Sequence, residues 1–154
     1  MDTQLDRDPV CREFRALCRK LGWRVTASRL AVYRFVRGNK SHPVIDSVWE
    51  AVKRELPNIS RESVYRILTD FADKGVIYQL ERPDVVARYD SNPRRHDHFY
   101  CERCGRVFDF SADEVDAIAR AAANKLGAIT RVEARVTGIC EECLRKEQTR
   151  ARRP

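Results

Sequence analysis

Histidine is scarce in this sequence: three occur among 154 residues, and none follows His98. Long hydrophobic runs are missing altogether. No stretch approaches the roughly 18 consecutive apolar residues of a membrane span, and the opening MDTQLDRDPV lacks the charged-then-apolar pattern of a secretory signal. There is no internal repeat, and only the closing RKEQTRARRP is compositionally biased. These absences exclude a helical membrane protein and a solenoid, and they predict a soluble, cytoplasmic protein with no membrane partner. Thiols stay reduced in that compartment, so the six cysteines are expected to be metal ligands or buried thiols rather than a disulfide framework.

What is present begins with positive charge. The formal charge is +7 with a pI near 9.3, which favours a polyanionic partner without identifying one. Between Arg7 and Lys40 stand ten Lys or Arg against two acids, Asp8 and Glu13, so a basic face is expected at the front of the chain.

Hydrophobic spacing predicts four helices in that front half. The segment 9–21 carries Val10, Phe14, Leu17 and Leu21 at helical spacing with Pro9 in the first turn. Thr26 is placed to cap a second helix that stops at Gly38. A third follows His42 and Pro43 and ends at Pro57. Ser60 is the natural cap of the fourth, where Val64, Ile67, Leu68 and Phe71 fall at i, i+3, i+4 and i+7. VIYQLERPDVVARYD then reads as two short strands around the turn RPD. Helices followed by a hairpin predict a winged helix.

SNPRR reads as a linker with its boundary near residue 91. The predicted organisation is a winged-helix domain over 1–90 with a hinge near 88–95, a small α/β domain over 91–145, and an unstructured basic tail over 146–154. In the second domain HFYC and RVFDF read as strands, and SADEVDAIARAAANKLG as a helix. TRVEARVT alternates, with Val132, Ala134 and Val136 on one face. The fold class expected is therefore α+β.

Two C-x2-C pairs, Cys101/Cys104 and Cys140/Cys143, have the spacing with which two thiolates meet one ion at about 2.3 Å, and Gly105 lets the first pair turn. Together they predict a closed four-thiolate zinc site of structural role. A redox pair is the alternative, but it wants a C-x-x-C ahead of a helix in a βαβ context, which neither pair shows in the sequence. Cys11 and Cys18, seven apart on the first helix, are expected to be small core residues.

On the fourth helix the apolar stripe leaves Arg61, Ser63, Tyr65 and Arg66 off the core face, where a recognition helix meets the major groove. An ordinary solvated helix face has the same pattern. His96 and His98, two apart on a strand, point to one side and can converge on one metal. By spacing alone they also fit a chance surface pair, and His42 a helix-start residue.

Beyond these local readings, RVTASR, the His42–Pro43 pair, ISRESVYRIL, RYD of Arg88 to Asp90, HDHFYCERCGRVFDF and GICEEC occur in the order of ferric uptake regulator family motifs. The chain resembles that family over roughly residues 9 to 145. The resemblance implies a dimeric winged-helix repressor that binds palindromic operators in double-stranded DNA when its regulatory metal is present. It adds Arg24, Thr26 and Arg29 to the DNA-facing residues, through RVTASR. The peroxide-sensing branch of the family holds Fe²⁺ or Mn²⁺ with three histidines and two aspartates; by motif position these are His42, Asp90, His96, His98 and Asp109. The same branch implies that His42 and His96 are the residues oxidised. Asp109, where iron-sensing members often have Glu, favours that branch over an iron, manganese, zinc or nickel homeostasis repressor. An additional family site usually includes a later histidine, absent here; Asp97, Asp116 and Glu133 are expected to be surface acids. The reading is of a regulator with no organic cofactor. A metalloenzyme would leave the basic front, the VYR helix and the hairpin unexplained, and a zinc-stabilised module that binds no DNA is the remaining alternative.

Overall fold

In the computed structural model, which describes residues 8–82, 85–94, 96–111, 113–129, 132 and 134–151, the chain forms two compact units, Met1–Pro93 and Arg94–Pro154. The first contains helices α1 (Pro9–Leu21), α2 (Ala27–Val36), α3 (Ile45–Glu55) and α4 (Arg61–Asp73), followed by an antiparallel hairpin of β1 (Tyr78–Arg82) and β2 (Val85–Asp90). This is the winged-helix order. Pro83 and Asp84 of the expected RPD turn lie outside the described residues.

Local chemistry sets these boundaries. Asp8 caps α1 by accepting from the Val10 N–H at 2.9 Å, and Gly22 ends it in the left-handed region at φ 68°, which a glycine adopts without a steric penalty. Thr26 caps α2 and Ser60 caps α4, each hydroxyl accepting from the N–H three residues on. The apolar stripes then meet in one core of Phe14, Val32, Val48, Val64, Leu68, Phe71 and Ile77. Phe71 sits at its centre, stacked on Trp23 at 5.4 Å and tilted against Phe14 at 6.5 Å, with its edge toward Tyr33 at 6.3 Å. Cys11 and Cys18 are buried in the same layer, as small core residues. At its border Tyr33 donates to Glu13 at 2.6 Å. Burial, with Glu13 alongside, pushes the Tyr33 hydroxyl up to about 12.

The second unit is a three-stranded sheet of order β4-β3-β5, built from β3 (Asp97–Cys101), β4 (Val107–Phe110) and β5 (Arg135–Gly138), with α5 (Asp113–Leu126) and α6 (Glu141–Ala151). β3 is central, antiparallel to β4 and parallel to β5.

Three expectations change here. The basic segment from residue 146 is helical as far as Ala151, because α6 is anchored by its first turn and braced by a Lys146–Glu142 pair at 2.7 Å; residues 152–154 lie outside the described residues. In the alternating segment Val132 and Ala134 lie outside any strand, β5 begins at Arg135, and Val136 is exposed. Arg131 and Glu133 lie outside the described residues. Asp97 is a buried acid rather than a surface one, its carboxylate accepting the Ala134 N–H at 2.9 Å. Among the described residues no helix is long and apolar enough to cross a membrane.

Truncating Phe71 to Ala removes the ring that three other aromatic side chains share, so urea unfolding followed by Trp23 fluorescence is expected to report a loss of about 3–5 kcal/mol. Acid should weaken the same unit. The Val10 N–H, with Cys11 and Arg34, holds the Asp8 carboxyl below the usual carboxylate range, and Arg37, with Tyr33, does so for Glu13. Depressed acids stabilise the fold above their unfolded values and lose that contribution as the pH falls through the folded ones. The urea midpoint should therefore hold steady from neutral pH down to the usual carboxylate range and drop below it, with the drop reduced in an Asp8→Asn, Glu13→Gln variant.

Candidate metal centres and nucleic-acid surface

The four cysteines of the C-x2-C pairs converge. Cys101 ends β3, and the chain turns back through Gly105, whose φ of 67° is the left-handed region and whose N–H returns to the Cys101 carbonyl at 2.9 Å. Cys140 immediately precedes α6 and Cys143 lies in its first turn. The second pair therefore does open a helix, contrary to the sequence expectation, yet its thiols face the first pair rather than each other alone. Cys101 Sγ lies 3.9 Å from Cys143 Sγ and Cys104 Sγ 3.8 Å from Cys140 Sγ, and all four sulfurs fall within 4.8 Å of one another. A tetrahedron with metal–sulfur bonds of about 2.3 Å has edges of about 3.8 Å. The spacing fits thiolates around one ion, and it is far too long for disulfides.

Electrostatics inside the cluster favour thiolate. Burial opposes ionisation of Cys101, but the N–H groups of Cys140, Cys104 and Arg103 outweigh it and bring the thiol down to about 6. The Cys140 N–H donates to Cys101 Sγ at 3.3 Å. Arg106 is the first cause holding Cys104 below the ordinary thiol value. Burial, followed by the neighbouring sulfurs of Cys140, Cys104 and Cys101, raises the Cys143 thiol above the ordinary value. The four-thiolate donor set, closed and without an open position, is the one zinc takes in structural sites.

A second donor group lies at the other end of the same sheet. His98 on β3 pairs in register with Asp109 on β4, and His96 precedes the strand by one residue. His96 Nε2 is 3.0 Å from His98 Nε2 and 3.6 Å from Asp109 Oδ1; His98 Nε2 is 3.9 Å from that oxygen. His96 Nδ1 lies 2.6 Å from the Arg94 carbonyl oxygen, which can only accept. That nitrogen carries the proton, and Nε2 keeps its lone pair toward its neighbours, an arrangement by which metal-ligating imidazoles are oriented.

In the first unit His42 and Asp90 form a buried pair, Nε2 to Oδ1 3.9 Å. The wing strand positions both. Arg88 donates to the His42 carbonyl at 2.9 Å, the Tyr89 N–H to the Pro43 carbonyl at 3.0 Å, and Val44 bridges to Arg88. Asp90 accepts the Asn92 N–H at 2.8 Å. His42 adopts φ 49°, and no other non-glycine residue with positive φ occurs among the described residues. That conformation costs roughly 1–2 kcal/mol for an L-residue, and such strain collects at functional positions held by the surrounding structure. No pattern in the sequence signals it.

The expected DNA-facing residues divide. Arg24, Tyr65 and Arg66 are exposed, Tyr65 by 51%. Thr26 spends its hydroxyl on the α2 cap, and Ser63 Oγ lies 2.8 Å from Ser60 Oγ. Arg29 is drawn to Asp70 at 2.8 Å, over the Trp23 ring, and Arg61 is paired with Asp46. Of the expected residues on α4, Tyr65 and Arg66 are thus the exposed pair outside these contacts.

The sequence model of the ferric uptake regulator family matches residues 20–136. The chain is 33% identical over 137 residues to the peroxide-responsive repressor PerR of Staphylococcus epidermidis, covering 88% of this chain and 91% of that one. The PerR of Staphylococcus aureus is likewise 33% identical, over 129 residues, with 83% and 87% covered. Among solved structures, the Helicobacter pylori ferric uptake regulator Fur shares the fold at a TM-score of 0.77 and 23% identity, over 92% of this chain and 95% of that one. A family match over most of the chain and relatives of this closeness leave one conclusion: the protein belongs to the ferric uptake regulator family.

Proposed function

We propose that this protein is a metal-dependent, homodimeric transcriptional repressor that responds to hydrogen peroxide through a regulatory iron or manganese site. The observation that carries the reading is the composition of the second donor group: His96, His98 and Asp109 with donor atoms 3.0–3.9 Å apart, all imidazole and carboxylate, with Asp rather than Glu at position 109. Such donors suit Fe²⁺ and Mn²⁺ as well as zinc, whereas the four-thiol centre suits zinc. The identity to peroxide-responsive repressors supports the same branch.

In this reading His42 and Asp90 complete the ligand set. Since those two belong to the first unit and the other three to the second, metal occupancy would couple the DNA reader to the sensor domain and select the DNA-binding state. Fe²⁺ held there would supply the electron that opens the peroxide O–O bond, and overall one peroxide oxygen would be inserted at a ring carbon of His42 or His96 while the other would leave as water. An oxidised imidazole is a poorer donor, so the metal and then the DNA are released. The four cysteines hold structural zinc throughout.

DNA binding rests on α4, with Tyr65 and Arg66 directed at base edges and phosphates, and Arg24, Thr26, Arg29, Arg61 and Ser63 at the border of that surface. Dimerisation rests on the second unit. There Ile118 and Leu126 of α5 are 66% and 82% exposed, and Phe108 and Val136 flank Phe99 across the sheet. Two copies joined on that apolar face would present two readers to the half-sites of a palindromic operator.

Anaerobic binding to a palindromic operator is expected only with Fe²⁺ or Mn²⁺ present, and peroxide should abolish the Fe²⁺ complex alone, with mass spectrometry finding added oxygen on His42 or His96. An iron complex that survives peroxide would replace this reading with that of a metal-homeostasis repressor using the same residues. Arg66→Ala is expected to cost about 1–3 kcal/mol in operator binding, leaving metal content unchanged. Cys143→Ser should lose the zinc retained through gel filtration; equal zinc in variant and parent would refute the four-thiol centre.

A further inference from the structure

Arg106, between the first C-x2-C pair and β4, belongs to no ligand set, yet its guanidinium reaches both halves of the thiol cluster. Its Nε donates to Cys104 Sγ at 3.3 Å and its Nη2 to Cys140 Sγ at 3.7 Å, so one sulfur from each C-x2-C pair is bound. Three further contacts aim the side chain: an ion pair from Nη2 to Glu142 in the first turn of α6, a position over the Phe108 ring at 5.5 Å, and the Arg106 carbonyl accepting the Cys101 N–H at 2.9 Å. Cys104 is the one exposed cysteine of the four, and it is the one that Nε binds.

Four thiolates around a divalent ion leave two surplus negative charges. The nearby cations are otherwise engaged, Arg103 with Glu147 and Lys146 with Glu142. A planar guanidinium can donate to two sulfurs at once and cannot lose its charge, whereas an ammonium offers a single point of charge. Hydrogen bonds to a thiolate stabilise its lone pairs and the orientation of the ligand, and outer-shell partners of this kind set how firmly a metal is held.

We infer that Arg106 is a positioning residue of the four-thiol centre, which binds Cys104 and Cys140 together, offsets the surplus charge and slows loss of the ion at the solvent-facing sulfur. The inference rests on the zinc reading above, and a parent protein without bound zinc would remove both. With zinc present, the two are separable. Cys143→Ser tests the centre, and Arg106 variants, in which all four sulfurs remain, test the positioning role.

The experiment uses the full-length protein loaded with zinc, with release to an excess of a chromogenic chelator followed over time, and a parallel sample loaded with Co²⁺ for absorption spectroscopy. Arg106→Met is expected to release zinc roughly 10-fold faster than the parent, with Arg106→Lys between them. The sulfur-to-cobalt charge-transfer band should move to longer wavelength in the same order, because sulfur lone pairs that lose a donor rise in energy. A general loosening of the fold would speed release without that graded shift. Release by Arg106→Met within about twofold of the parent, or faster release with an unmoved band, overturns the inference. If Arg106→Met does not fold, Arg106→Lys decides by the same two readouts: the charge is kept and the two-sulfur fork is lost, so parental rate and band would exclude a role for the fork.

Discussion

The second unit has too little apolar interior to hold itself together without its cysteines. Its buried apolar side chains, among the described residues, amount to Tyr100, Val107 and Val115 beside Cys101, Cys140 and Cys143, with Phe99 and Ile139 packed partly against the thiols. A segment of this size buries too small a fraction of its surface to offset chain entropy by hydrophobic contact alone. Three of the four cysteines, Cys101, Cys140 and Cys143, therefore form the core as well as part of the candidate metal centre. One ion binding them would tie the end of β3 to the start of α6, two places 39 residues apart in the chain.

That clip has a further consequence for the histidines. β3 carries His98 near its start and Cys101 at its end, and β4 carries Asp109 opposite His98. A slip of one residue would turn every side chain of a strand to the opposite face. Holding Cys101 among the other thiols holds β3 in register, and the register sets His98 against Asp109. The four-thiol cluster and the His96–His98–Asp109 group thus lie at two ends of one three-stranded sheet, and Arg106, beside the first strand position of β4, lies at the thiol end.

The first unit solves a different problem. Its core is ample, and this is what allows a buried histidine in a left-handed conformation next to a buried aspartate. The hydrogen bonds that β2 sends to the His42–Pro43 carbonyls fix that segment to the wing. The wing and this pair are therefore linked through β2, which ends at Asp90 itself and bonds the segment that carries His42.

Much of this was legible beforehand. The spacing of Val64, Ile67, Leu68 and Phe71, the caps Thr26 and Ser60, and the two C-x2-C pairs depend on local periodicity and on residue chemistry, which a linear sequence carries in full. Other features came from contacts between residues distant in the chain. Asp97 looked like a surface acid until the Ala134 N–H, 37 residues on, was found bound to it. The sequence reads Arg29 and Arg61 as DNA-facing cations and does not show that Asp70 and Asp46 from other helices pair with them. The tail read as disordered from composition, and becomes helical because Cys143 anchors its first turn. Sequence by itself determined the main helices, the hairpin, the two C-x2-C pairs and, through motif order, the family, since these follow from side-chain identity and spacing. Only the tertiary structure decided which donors converge, which charges are already paired and what conformation His42 must take, because burial and pairing are properties of neighbours brought together by folding.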